Sequence, residues 1–173
     1  LDKRESSTAS LRVNANFNRT PNGHMLGNIN VGDVLLESDG QRYDIGDLSF
    51  TSHSLNSRYR INFSSGFAEA RYDGTRPVTE FVSALSEHTL RRELPALLGK
   101  SVDENVGGSY DISFKFTDPS DISAFFKPGL YIDKNTALSL HLGDDGLCEA
   151  SLKSRRIALK EQYIKEIDFA MDN

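Results

Sequence analysis

Cysteine is almost absent: Cys148 is the only one among 173 residues. That excludes an internal disulfide framework and a cysteine-built structural zinc site, because both need several sulfur atoms. Tryptophan is missing altogether. No stretch approaches the roughly 20 consecutive apolar residues that carry a helix across a bilayer. The lead-in from Leu1 to Ser10 is polar and charged, unlike the apolar centre of a secretory leader. Positive charge is also in short supply. Lys and Arg number 20 against 25 Asp and Glu, a net charge of -5, so the broad basic footprint that grips a phosphate backbone is lacking and nucleic acid is not an expected partner.

Catalytic signatures are lacking too. The four histidines, His24, His53, His88 and His141, are scattered, and none forms an H-E-x-x-H or another close ligand pair. No G-x-S-x-G elbow and no glycine-rich phosphate loop follows a strand pattern. Asp144-Asp145-Gly146 lacks the spacing of an EF-hand loop and reads as a hairpin turn. Cys148 has no base assigned to it and reads as a small side chain on a strand. Asp44, Asp47 and Glu149 read as solvent-facing strand residues, and Lys153-Ser154-Arg155-Arg156 as a solvated turn. The expectation is therefore a protein without enzymatic activity, metal or cofactor.

What the chain does contain is alternation. Hydrophobic residues make up 38% and include 10 Phe and 6 Tyr, enough for a folded domain. Leu11, Val13, Ala15 and Phe17 alternate with polar residues, the period of a strand with one buried face. Further alternations run through Ile29 and Val31, Leu48 and Phe50, Tyr59, Ile61 and Phe63, and Ala70 and Tyr72, with Asp39-Gly40 as a tight turn. After Arg76-Pro77 the period lengthens: Val78, Phe81, Val82 and Leu85 lie at helical spacing, and Leu90, Leu94, Leu97 and Leu98 form a second stripe. At about 100° per residue the second stripe lies roughly 140° around the axis from the first, so the helix breaks near Glu87 or is covered on two sides.

Strand signals resume with Tyr110, Ile112, Phe114 and Phe116, the cleanest alternation in the chain. Asp118-Pro119 starts a short helix that Lys127-Pro128-Gly129 stops. Leu138, Leu140 and Leu142, then Ile167, Phe169 and Met171, complete the pattern. The organisation expected is one segment, 1–173, of a larger repetitive β protein. Residues 1–74 form a strand meander, 76–99 a helical insertion, and 109–173 a second strand group with a short helix near 119–127. The start at Leu1 and the stop at Asn173 directly after a strand pattern fit a piece of a longer chain.

The apolar rows suggest a function that needs no catalytic residue. Ile112, Phe114, Phe116, Leu138, Leu140, Leu142, Ile167, Phe169 and Met171 line one sheet face if their strands share a register. The helical cover on offer is small: Phe81, Leu85, Leu90 and Leu94 on the insertion, and one short helix. An apolar face left uncovered marks a binding groove or an interface.

The stretch Ser65-Gly66-Phe67-Ala68-Glu69-Ala70-Arg71-Tyr72-Asp73-Gly74 leads into an amphipathic helix ending in Leu94-Pro95-Ala96-Leu97. The alternating strand Tyr110 to Phe116, a short helix and Pro128-Gly129-Leu130 follow. This order resembles the TamB family of the AsmA-like superfamily, with coverage from Ile29 to Leu142. The resemblance implies an elongated, curved antiparallel sheet of the β-taco kind, mainly β with one or two covering helices. It further implies a periplasmic segment of an inner-membrane-anchored protein that moves phospholipid between membranes or assists outer-membrane protein assembly. Phospholipid or acyl chains and outer-membrane assembly proteins are the implied partners. The chain departs from the family in carrying neither the N-terminal anchor nor the C-terminal region used at the other membrane. Two alternatives compete with this reading. In one, every apolar row is sealed by protein and the segment is structural or an interaction module. In the other, a carbohydrate-active β-sandwich presents a polar cleft with convergent acids or an exposed aromatic platform.

Overall fold

The computed structural model describes residues 7–20, 25–38, 40–84, 108–126, 129–145 and 147–172. The described residues are mostly strand, in one open antiparallel sheet of ten strands. They are β1 (Ser7–Arg19), β2 (Met25–Ser38), β3 (Gln41–Leu55), β4 (Arg58–Ser65), β5 (Ala68–Gly74), β6 (Tyr110–Phe116), β7 (Leu130–Ile132), β8 (Ala137–Leu142), β9 (Cys148–Leu159) and β10 (Gln162–Asp172). Among the described residues two short helices interrupt them, α1 (Val78–Ala84) and α2 (Ser120–Phe126). The spatial order is β1-β2-β3-β4-β5-β6-β8-β9-β10, with β7 paired to β9 beyond the end of β8. This is the curved antiparallel sheet with helical cover that the sequence leads one to expect.

Sequence neighbours are sheet neighbours because tight turns join them. Leu55 pairs with Arg58 across Asn56 and Ser57, whose φ values of 51° and 59° are those of a primed hairpin turn. Leu159 pairs with Gln162 in the same way, with Lys160 at φ 54°. The exceptions are β6 to β8, with α2 and β7 between them in sequence, and β5 to β6, which pair in full register from Ala68 with Phe116 to Gly74 with Tyr110 although residues 75–109 intervene.

One end of the sheet holds the packed core. Tyr72, Tyr110, Leu142 and Cys148 are buried there, with Tyr59, Ile61, Phe81, Ile112 and Leu140 against them. Phe81 of α1 meets Tyr110 at 5.6 Å between ring centres, which fixes the helix on this face. Gly74 lies between Tyr59 and Tyr110 in the pairing, and a Cβ there would collide with the hydroxyl of Tyr72, which donates to the carbonyl of Arg76. A side chain at position 74 would therefore disturb the core. The α2 helix packs elsewhere. Its Phe125 stands edge-on to Tyr43 at 5.7 Å, beside the part of β2 and β3 where Val34 and Ile45 are buried. Asp118 accepts from the Ser120 side chain and backbone amide at the start of α2, and these bonds hold its carboxyl below the usual range.

Two expectations need revision or lie outside what is described. Lys153-Ser154-Arg155-Arg156 is not a turn but the middle of β9. Ser154 is buried there, sharing a 2.7 Å hydroxyl contact with Thr136. At this point β9 passes from its β8 partner to its β7 partner. Of the helical insertion expected over 76–99, α1 accounts for residues 78–84; Leu85, Leu90 and Leu94 lie outside the described residues.

Candidate functional site

Directly paired residues in an antiparallel sheet point to the same side, so register assigns every side chain to a face. One row reads Ala15, Ile29, Phe50, Phe63, Ala70, Phe114, Leu138, Leu152 and Phe169, one residue from each successive strand and every one apolar. At about 4.8 Å between strands this row is roughly 38 Å long. The next row on the same face reads Phe17, Gly27, Ser52, Ile61, Tyr72, Ile112, Leu140, Ala150 and Met171.

All nine residues singled out from alternation share this face, in four positions. Phe114, Leu138 and Phe169 lie in the central row, and Ile112, Leu140 and Met171 in the row beside it. Phe116 and Ile167 lie on the far side of the central row, in line with Ala68 and with the buried Ser154 hydroxyl. Leu142 is different: it is sealed in the core at 1% exposure, paired with Tyr110 and Cys148. Leu138 on β8 is 42% exposed, and Phe169 and Met171 on β10 are 51% and 39% exposed. Of the expected helical cover, Phe81 packs against the core cluster that includes Leu142.

Sequence reasoning missed the first half of the stripe. Ile29, Phe50 and Phe63 were legible as strand residues by their alternation, but only the β5–β6 pairing joins them to Phe114 and Leu138.

The hollow lies on the opposite face. A cavity of about 960 Å³ is bordered by Arg58, Arg60, Arg71, Asp73, Asp111, His141 and Glu149, and a neighbouring one of about 550 Å³ shares Arg71, Ser113, Ser139 and Ser151 with it. Side-chain size accounts for this. On the polar face Ser113, Ser139, Ser151 and Ala170 form one row of small side chains between a row that includes Asp111, His141 and Glu149 and one that reads Glu69, Lys115, Ala137, Lys153 and Asp168. On the apolar face the central row carries Phe and Leu, which fill the surface and stand out from it. The expected apolar groove thus takes the form of an apolar stripe with a polar trough behind it.

Electrostatics at the end of the trough centre on Asp73. Its carboxylate accepts from Arg58 Nε at 2.5 Å and Arg60 Nε at 2.7 Å, with Arg71 Nη2 at 3.6 Å. Burial pushes its pKa up, but the two guanidinium hydrogen bonds and their charges outweigh burial and hold it below the ordinary carboxylate value. The same contact raises the pKa of Arg58. Further along, His141 Nδ1 lies 2.6 Å from Asp111 Oδ1, pointing away from Leu140 and Leu142 as its place in the alternation requires. Asp44, Asp47 and Glu149 are exposed on their strands. Cys148 is fully buried on β9.

Comparison of the chain with protein-family models, with curated proteins and with solved structures finds no match.

Proposed function

We propose that this chain is a section of a longer, TamB-like periplasmic sheet, and that its apolar stripe carries the acyl chains of phospholipids. The observation that supports this best is the unbroken apolar row of nine residues on nine strands, running across the strands and along the length of the sheet. A solvated sheet face of an ordinary domain has no reason to be apolar over roughly 38 Å. A stripe of this kind marks a binding surface. Laying a hydrocarbon tail along it covers one side of each methylene. Taking half of the about 0.8 kcal/mol for a fully buried CH2, ten methylenes contribute about 4 kcal/mol before ordering costs. That is weak enough for a tail to slide and strong enough to keep it out of water.

Among the described residues the outer edges of β1 and β10 have no strand partner, which also supports the reading as a segment, since either edge can accept a further strand and extend the stripe. Assistance to outer-membrane protein assembly would use the same edges.

Photoreactive phospholipid tests the proposal. Delipidated protein is soaked with the lipid, irradiated, and the adducts mapped by mass spectrometry. Adducts are expected on peptides carrying Phe114, Leu138 and Phe169, and their yield falls in the double variant Leu138→Asp, Phe169→Asp. Labelling no higher than on a sealed β-barrel control overturns the lipid reading and leaves a structural or protein-binding segment.

A further inference from the structure

Like charges directly opposite one another on paired strands repel, and the acidic pairs of this sheet have a basic neighbour. Asp73 and Asp111 are partners on β5 and β6, and Arg58 bridges them, its Nε 2.5 Å from the first carboxylate and its Nη2 3.4 Å from the second. Glu149 and Asp172 face each other on β9 and β10, with His141 next in line on β8. Arg156 and Lys165 are the reverse case: two cations paired directly across β9 and β10, their stems about 5 Å apart. Among the described residues neither has an ion pair.

Position ties this pair to the apolar stripe. β9 runs unbroken from Cys148 to Leu159, so Leu152 of the central row shares its face with Ser154, Arg156 and Ala158. On β10 Lys165 is followed on that face by Ile167 and Phe169, which sets the cations roughly 13 Å from the central row along the backbone, at one corner of the stripe. Tyr131 and Tyr163 flank the buried Ala158 in the neighbouring row. The Arg156 guanidinium lies over both rings, 5.3 and 5.4 Å from their centres, and the Lys165 ammonium lies over Tyr163 at 5.0 Å. Asp133 is the acid in line with Arg156: its amide donates to the Arg156 carbonyl, and its carboxylate accepts from the Tyr131 hydroxyl. It balances one of the two positive charges. Lys160 and Glu161 at the β9–β10 turn cancel, as do Arg155 and Glu166, so the corner keeps a positive excess.

A guanidinium seated over aromatic rings keeps N–H donors free at its edge, the layout that receives two phosphate oxygens. The tyrosine faces are already taken by the chain's own cations, so a quaternary ammonium finds no aromatic cage here. We propose that Arg156 and Lys165 bind the phosphate of an anionic phospholipid whose acyl chains lie on the stripe, with Ile167 carrying the first methylenes. This inference rests on the lipid reading and adds a headgroup class to it: a phosphodiester of net negative charge, in preference to a zwitterionic choline ester.

Photoreactive phosphatidylglycerol and phosphatidylcholine with the same acyl chains test it. Both are expected to label peptides carrying Phe114, Leu138 and Phe169, phosphatidylglycerol about fivefold more strongly at equal concentration, the scale set by two exposed ion pairs. The double variant Arg156→Gln, Lys165→Gln should bring phosphatidylglycerol down to the phosphatidylcholine level and leave phosphatidylcholine unchanged. The control Lys115→Gln, Arg155→Gln removes the same charge from the opposite face and should keep the preference. Circular dichroism reports that each variant folds. Inorganic phosphate at the concentration of the lipid should not compete. Stripe labelling without a preference, a preference that survives Arg156→Gln, Lys165→Gln, an equal loss in the control, or phosphate competing as well as the lipid overturns the headgroup site alone. No stripe labelling by either lipid overturns the lipid reading and this site together.

Discussion

Replacing Asp73 by Asn keeps the shape of the side chain and removes the charge on which Arg58, Arg60 and Arg71 converge. A charge-assisted hydrogen bond contributes about 1.5–3 kcal/mol, and removing one partner of a fully buried pair costs about 3–5 kcal/mol. Asp73 is near the buried limit, with its side chain 11% exposed, but Arg58 and Arg60 keep 35% and 39% exposure. They can turn part of their charge to water, so the expected loss is about 2–3 kcal/mol. Urea unfolding at neutral pH measures it. The pH dependence follows from the direction of the Asp73 shift. A carboxyl whose folded pKa is depressed stabilises the fold above its unfolded pKa of about 3.9, and that contribution is lost as pH falls through the folded value. The gap between wild type and Asp73→Asn should therefore be flat between about pH 5 and pH 8 and close below about pH 4. A gap smaller than about 0.5 kcal/mol at neutral pH, or one that persists undiminished at about pH 2, refutes the reasoning.

Two further outcomes probe the packed end and the open end of the sheet. Leu142→Ala empties a site that is 1% exposed and should cost about 3 kcal/mol in urea unfolding, whereas Leu138→Ala, at 42% exposure, should cost less than about 1 kcal/mol. Equal costs would mean that the stripe is closed along its whole length. Tyr72→Phe gives up the bond to the Arg76 carbonyl and should cost about 1 kcal/mol, while Tyr110→Phe removes a buried hydroxyl that has no partner among the described residues and should be neutral or slightly stabilising. Paired thermal melts giving the reverse order would refute this account of the core.

Alternation made much of the sheet legible. Tyr59 to Phe63, Tyr110 to Phe116, Leu138 to Leu142 and Ile167 to Met171 each lie in the strand that their period implies, and parity alone was enough to group the apolar residues within each strand. Pairing between distant strands was not legible, because nothing local in Ala70 or Phe114 announces that they meet across residues 75–109. The middle of β9 was hidden for a related reason. Its partner changes from β8 to β7 near Ser154, so Lys153 to Arg156 answer to two environments and show no clean alternation. Turn chemistry also fell silent at Lys160, which adopts a positive φ without being Gly, Asn or Asp. The hollow polar face could not be read at all. Its floor takes one serine from each of three strands, and the smallness of that row emerges only once the register is known.

Because nearly every strand rests on the one before it in sequence, the molecule behaves as a chain of adjoining panels more than as a ball around one centre. Stability in such a lattice accrues panel by panel through nearest-neighbour terms. Trimming β1 or β10 would therefore shorten the sheet and bare a fresh margin while the α1 core stayed filled, and loosening should begin at the two rims and travel inward. Length can thus be gained or lost in whole-strand increments without redesigning the middle.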